Sequence, residues 1–170
     1  MYFLVHTGAR ISEARGFSRK NWDEKKELVY IRQRADEQGK IGHTKSAEGV
    51  RDILFVDDLV EPMNAAFAMH DRDLLWSTRS GTPMNTANLY KRCWNKLLDA
   101  CEEEGEPVPR HGFHAMRHTY ASRLIAAGAN LKTLQRMMGH HSASFPLDVY
   151  GHLLRDDDHD SALRRALVLA

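Results

Sequence analysis

Five residues scattered along the chain, Arg10, His114, Arg117, His140 and Tyr150, are of the types that could attack a phosphodiester without a metal ion. Each arginine ends in a planar fork of donors that matches phosphate oxygens. His114 and Arg117 stand three apart, so on a helix both side chains face the same way. A histidine beside a phosphate can donate a hydrogen bond or take up a proton. The tyrosine oxygen can form a covalent bond to phosphorus, but a phenol with a pKa of about 10 needs a cationic site to activate it. His114 and His118 also stand four apart, as a zinc pair would. A zinc hydrolase of that kind needs Glu directly after the first histidine, and Ala115 is there instead. No metal and no cofactor are expected.

Short helices and a small sheet must carry these residues. Residues 1–17 read as the end of one helix, a turn at Thr7-Gly8, and a short helix over 11–17. Apolar runs over 27–32, 39–46 and 50–56 predict three strands of a small antiparallel sheet. Asp57-Asp58 opens a helix with Leu59, Met63, Ala66, Phe67 and His70 on its apolar stripe. Residues 71–84 read as loop. Asn85 caps a helix through 100, with Leu89, Cys93, Trp94, Leu97 and Leu98 at helical spacing. Residues 102–110 form a polar linker. A helix over 113–127 stops at Gly128, and a further helix runs from the Asn130 cap to Gly139. Short helices over 147–153 and from Asp156 to the end complete a mainly α chain with one three-stranded sheet.

The order of several short stretches resembles the catalytic domain of tyrosine recombinases, the phage integrase family. They are Thr7-Gly8-Ala9-Arg10 with Glu13, His43-Thr44-Lys45-Ser46 followed by Arg51, His114-Ala115-Met116-Arg117-His118-Thr119, Met138-Gly139-His140 and Leu147-Asp148-Val149-Tyr150-Gly151-His152. The resemblance implies the DNA breaking-rejoining fold and site-specific strand exchange through a 3′-phosphotyrosyl intermediate. Arg10 and Arg117 would bracket the scissile phosphate, with Glu13 as a supporting acid. His114 and His140 would hydrogen-bond it, Lys45 would protonate the departing 5′-oxygen, and Tyr150 would be the nucleophile. One phosphodiester is exchanged for an ester of similar energy, so neither ATP nor metal is required. His118 reads as a structural histidine. The implied partner is double-stranded DNA, bound by a homo-tetramer assembled on it from free monomers. Phosphate contacts are expected from Arg15, Arg19, Lys20, Lys91, Arg92, Lys96, Lys132 and Arg136. The tail over 156–170, with Leu163, Ala166, Leu167 and Leu169, would dock into a neighbouring subunit.

The sequence departs from the family pattern in two places. Pro146 stands where the family has Thr, and Ser144 can supply the lost cap. Thr7 comes so early that residues 1–170 read as the catalytic domain without its first helix and without the N-terminal core DNA-binding domain. Two other readings share many of these residues: an inactive DNA-binding remnant that kept the fold, and a type IB topoisomerase-like nicking enzyme.

Composition sets wider limits. The 170 residues suit one domain with a real core, and no apolar run is long enough to cross a membrane. Cys93 and Cys101 form neither a disulfide framework nor a zinc knuckle, so the expected setting is a reducing cytoplasm; a bacterial or phage-encoded protein at the nucleoid is what the family resemblance implies. The net charge of +1 announces no nucleic-acid binder, but positive charge is concentrated early in the chain.

Overall fold

A computed structural model of the chain describes residues 1–106 and 109–139. The first helix, α1 (Tyr2–Thr7), ends because Gly8 turns left-handed at φ 58° and returns its N–H to the Leu4 carbonyl. A side chain at Gly8 would put its Cβ 2.3 Å from the ring of Tyr120, so the position needs glycine twice over. The next helix, α2 (Ile11–Arg15), starts at Arg10. Glu13 reaches back to accept the Arg10 N–H at 2.9 Å, which satisfies one of the free donors at the helix start.

The strands are β1 (Trp22–Asp23), β2 (Leu28–Ile31), β3 (Gln33–Ala35), β4 (Ile41–His43) and β5 (Arg51–Leu54). A three-stranded antiparallel sheet has the order β1-β2-β5, with Val29 opposite Ile53 and Ile31 opposite Arg51. The alternation of β5 buries Arg51 and Ile53 and exposes Asp52 and Leu54. Strand β4 does not join this sheet as expected. It pairs with β3 in a separate ribbon. The reason is local: Gly39 turns left-handed and Lys40 donates its N–H to the Asp36 carboxylate, which closes a tight hairpin before the chain can reach β2. The third place in the sheet goes to β1, which no sequence pattern announces because two residues leave no period to read.

The helix α3 (Val60–Ala68) comes after a single 3₁₀ turn, Asp57–Leu59. Asn85 then caps α4 (Thr86–Leu89), accepting the Ala87 N–H at 2.8 Å. One π turn, Tyr90–Trp94, separates α4 from α5 (Asn95–Glu103). Its extra residue rotates α5 about the helix axis, so Leu89, Trp94 and Leu98 are buried while Cys93 and Leu97, expected on the same stripe, are exposed. Helices α6 (His114–Ala126) and α7 (Leu131–Met138) complete the described chain, and Asn130 caps α7 through the Thr133 N–H. Helix α6 packs on α1, and α7 packs on both α6 and β5. Val29, Ile53, Leu59, Ala121 and Leu134 are fully enclosed where these layers meet. Each of the larger ones contributes roughly 1.5–3 kcal/mol by leaving water. The core thus fixes α7 against β5 and α6, and Arg10, Arg51 and Arg117 meet at the end of α7.

Candidate active site

The last carbonyls of a helix have no partner within it. At the end of α7, three successive carbonyls are taken up by three arginines from distant parts of the chain. Arg51 donates from Nε to Met137 O at 2.9 Å, Arg117 donates from Nη2 to Met138 O, and Arg10 donates from Nη2 to Gly139 O at 3.0 Å. The helix dipole favours positive charge at this end. Gly139 itself is left-handed at φ 61°, ending the helix as the sequence predicts.

Arg117 is 3% exposed, and its other amino group donates to Gly8 O. It therefore joins the Thr7-Gly8 turn to the Gly139 turn. Arg10 has 30% of its side chain exposed, so its guanidinium meets both the protein and the solvent. Glu13 lies beneath it, buried, pairing with Arg10 at 2.8 Å and with Arg51 at 2.9 Å. Burial alone would push the Glu13 carboxyl up. The charge and hydrogen bonds of Arg51, with the backbone and charge of Arg10, outweigh burial and hold it below the ordinary carboxylate range.

His114 begins α6 and is exposed, one turn before Arg117. Its pKa is lowered, first by partial burial and then by the charges of Arg117, His118 and Arg10. At neutral pH its imidazole is uncharged and can accept a proton. His118 stacks edge-on to it with ring centroids 5.7 Å apart. Tyr120 is buried against Gly8, and burial pushes its phenol up to about 12, so it is a packing residue.

Lys45 sits exposed on the loop between β4 and a 3₁₀ turn, Ala47–Gly49. His140 and Tyr150 lie outside the described residues, as do Pro146 and the tail over 156–170. Of the expected phosphate contacts, Lys20, Lys91, Arg92, Lys96, Lys132 and Arg136 are exposed. Two are corrected by their surroundings. Arg15 is buried and donates from Nε to Met84 O at 2.7 Å. Arg19 donates to the carbonyls of Arg72 and Phe67 and lies over the Phe67 ring. Both tie the 71–84 segment to the body, so neither guanidinium points outward. Lys132 and Arg136 line a groove with Leu28, Val50 and Leu54 on the outer side of the sheet.

In the sequence Arg51 stands out only as an arginine six positions after the hairpin lysine, Lys45. The signal available was its strand alternation with Ile53, which turns an arginine toward the interior. A charge there must be fully paired, and it is.

Residues 1–156 match the phage integrase family. The chain belongs to that family. It is 27% identical to the tyrosine recombinase XerC of Listeria innocua over 90% of its own length and 48% of that protein. It is also 27% identical to the transposase from transposon Tn916 of Enterococcus faecalis, over 90% of its own length and 41% of the transposase. A XerC-like recombinase of Caldanaerobacter subterraneus is 32% identical, but only over 49% of this chain and 20% of its own length. The chain thus spans half or less of the length of these curated relatives. Among solved structures, the Tn1549 transposon integrase in complex with circular intermediate DNA superposes with a TM-score of 0.77 at 26% identity, covering 98% of this chain and 57% of the integrase. XerH recombinase in a post-cleavage complex shares the fold, with a TM-score of 0.65 at 20% identity. This integrase-family chain has the mainly helical catalytic-domain fold of these proteins, with its own three-stranded sheet and two-stranded ribbon.

Proposed function

We propose that this chain carries the catalytic machinery of a site-specific DNA recombinase that cleaves and rejoins strands through a 3′-phosphotyrosyl intermediate. The observation that carries the reading is the meeting of Arg10 and Arg117 on adjacent carbonyls, Gly139 O and Met138 O, although 107 positions separate them in the sequence. Three guanidinium groups, those of Arg10, Arg51 and Arg117, meet at this helix end, and Glu13 pairs with two of them, so an approaching phosphate finds a net cationic site. Arg10, more open than Arg117, meets the phosphate first. Arg117 supplies charge from below as negative charge grows on the non-bridging oxygens. Neutral His114 adds a hydrogen bond or takes the tyrosine proton. Gly139 leads directly to His140, the second histidine of the proposed set. Tyr150 attacks phosphorus, and Lys45 gives its proton to the 5′-oxygen that leaves.

The partner is duplex DNA. Lys20, Lys91, Arg92, Lys96, Lys132 and Arg136 would contact its phosphates, and several copies of the chain would assemble on paired sites. The names of the relatives, recombinases and transposases, and the DNA bound in the Tn1549 integrase structure support this assignment.

Single-turnover reaction with a nicked suicide duplex tests the reading. A covalent protein–DNA adduct that disappears with Tyr150→Phe, while duplex affinity stays close to wild type, is the expected result. An adduct that survives Tyr150→Phe would overturn the choice of nucleophile. No adduct with any such duplex would leave an inactive DNA-binding domain as the better description.

A further inference from the structure

Arg51 is buried, on a strand, and too deep to touch a phosphate, yet three segments that carry proposed site residues meet at its guanidinium. Nε donates to Met137 O at 2.9 Å, at the end of α7 that leads to His140. Nη1 donates to Gly49 O at 3.0 Å, at the base of the loop that carries Lys45. Nη2 donates to Glu13 Oε2 at 2.9 Å, and Nη1 lies 3.3 Å from Oε1 of the carboxylate that also holds Arg10. The surroundings are shaped for this side chain. A Cβ on Gly139 would sit 2.8 Å from Arg51 Nη1, so the glycine leaves the space the guanidinium occupies. The Lys45 loop is closed from inside, with Thr44 Oγ1 donating to Ser46 O at 2.7 Å and packing where a Cβ of Gly49 would otherwise stand.

We infer that Arg51 is a positioning residue that locks the Lys45 loop, Arg10 through Glu13, and the α7 terminus into one frame, so that all three present to the same phosphate. This rests on the reading that the site cleaves DNA. The frame acts in two physical ways. Arg51 supplies the charge that balances buried Glu13, so the positive charge of Arg10 stays available to an incoming anion instead of being neutralised from below. A planar fork is also required, because one ammonium cannot reach two carbonyls and both carboxylate oxygens at once.

The test compares wild type, Arg51→Lys and Arg51→Met by three measurements: hydrogen exchange read by mass spectrometry, duplex affinity, and single-turnover adduct formation per folded molecule. Arg51→Lys keeps the charge and guards against a simple failure to fold in Arg51→Met. The expected result for Arg51→Lys is faster exchange in segments 8–15, 44–50 and 131–139, with 95–103 unchanged. Adduct formation should fall about 10- to 100-fold, the cost of misplacing reacting groups by around an ångström, while duplex affinity stays within a few-fold. Unchanged exchange in those three segments would overturn the frame whether or not the protein cleaves DNA. Altered exchange with a wild-type rate of adduct formation would overturn its role in the reaction. If wild type itself forms no adduct, the cleavage reading fails, and the exchange pattern alone then decides whether Arg51 holds the frame.

Discussion

Two groups of cations on this molecule are built in opposite ways. Arg10, Arg51 and Arg117 surround the end of α7 and spend their donors on backbone carbonyls and one carboxylate. Lys91, Arg92 and Lys96 stand exposed along the π turn and α5. A buried guanidinium is costly unless its hydrogen bonds are met, so Arg51 and Arg117 are fixed in place by their own satisfaction, and half-buried Arg10 is held by Glu13 and Gly139 O. The second group keeps its hydration and its freedom. Fixed charge suits the stabilisation of one transition state. Mobile charge suits the neutralisation of a phosphate backbone whose sequence it cannot read.

Substitution of Arg117 should break this contrast most severely. Arg117→Lys keeps the charge but cannot hold Gly8 O and Met138 O together. The expected loss of adduct formation is about 100- to 1000-fold, the scale of losing one preorganised donor at developing charge. Stability should fall by roughly 1–3 kcal/mol for the carbonyl left without a partner, read from urea unfolding. Retention of full activity would mean that a point charge suffices and that the geometry is incidental.

Gly139→Ala probes the same region through the backbone. The added methyl meets a left-handed φ and the Arg51 guanidinium at once, so a loss of about 1–3 kcal/mol in unfolding free energy is expected. A change below about 0.5 kcal/mol would show that Arg51 yields easily.

The exposed group should behave in the reverse way. Replacing Lys91, Arg92 and Lys96 together with alanine should leave stability within about 0.5 kcal/mol. Duplex affinity should fall, and its logarithmic salt dependence should become shallower by about 2.7, at about 0.9 for each phosphate no longer neutralised. An unchanged salt slope would remove this helix from the DNA-facing surface.

The smallest effect expected is on acid stability. His114 has a lowered folded pKa, so its contribution is complete above the unfolded value of about 6.5 and is lost as pH falls through the folded value. Thermal melts of His114→Gln should match wild type in shape above neutrality and decline less on the acid side. Glu13, also lowered, adds a separate loss below about pH 4.5. Identical acid limbs for His114→Gln and wild type would mean that the neighbouring charges do not reach the imidazole.

The chemistry proposed for the site rests on residue type, which the sequence carries directly. Arg10, His114 and Arg117 sit in short stretches with fixed internal spacing, and Gly139 stops a helix by a rule that needs only its neighbours. The expected phosphate contacts were less legible. Arg15 and Arg19 look like any surface cation in a basic stretch, yet both are spent on carbonyls of the 67–84 region. Nothing local distinguishes a buried arginine from an exposed one when its partner is a backbone carbonyl more than 45 residues away. The stripe on the helix after Asn85 failed for a different reason: a π turn adds one residue per turn, and a period of 3.6 then points to the wrong face.

The sequence by itself determined which residues could act on a phosphate, where most helices start and stop, and that the strands are short and antiparallel. Side-chain chemistry, capping and periodicity decide these features, and all three act within a few residues. Only the tertiary structure decided that β4 pairs with β3 while β1 completes the sheet, that Arg51 faces inward to Glu13, and that three arginines converge on one helix end. Those outcomes depend on which strand edges and buried carbonyls are left unpaired once the core has closed, and such groups must find partners wherever in the chain they lie.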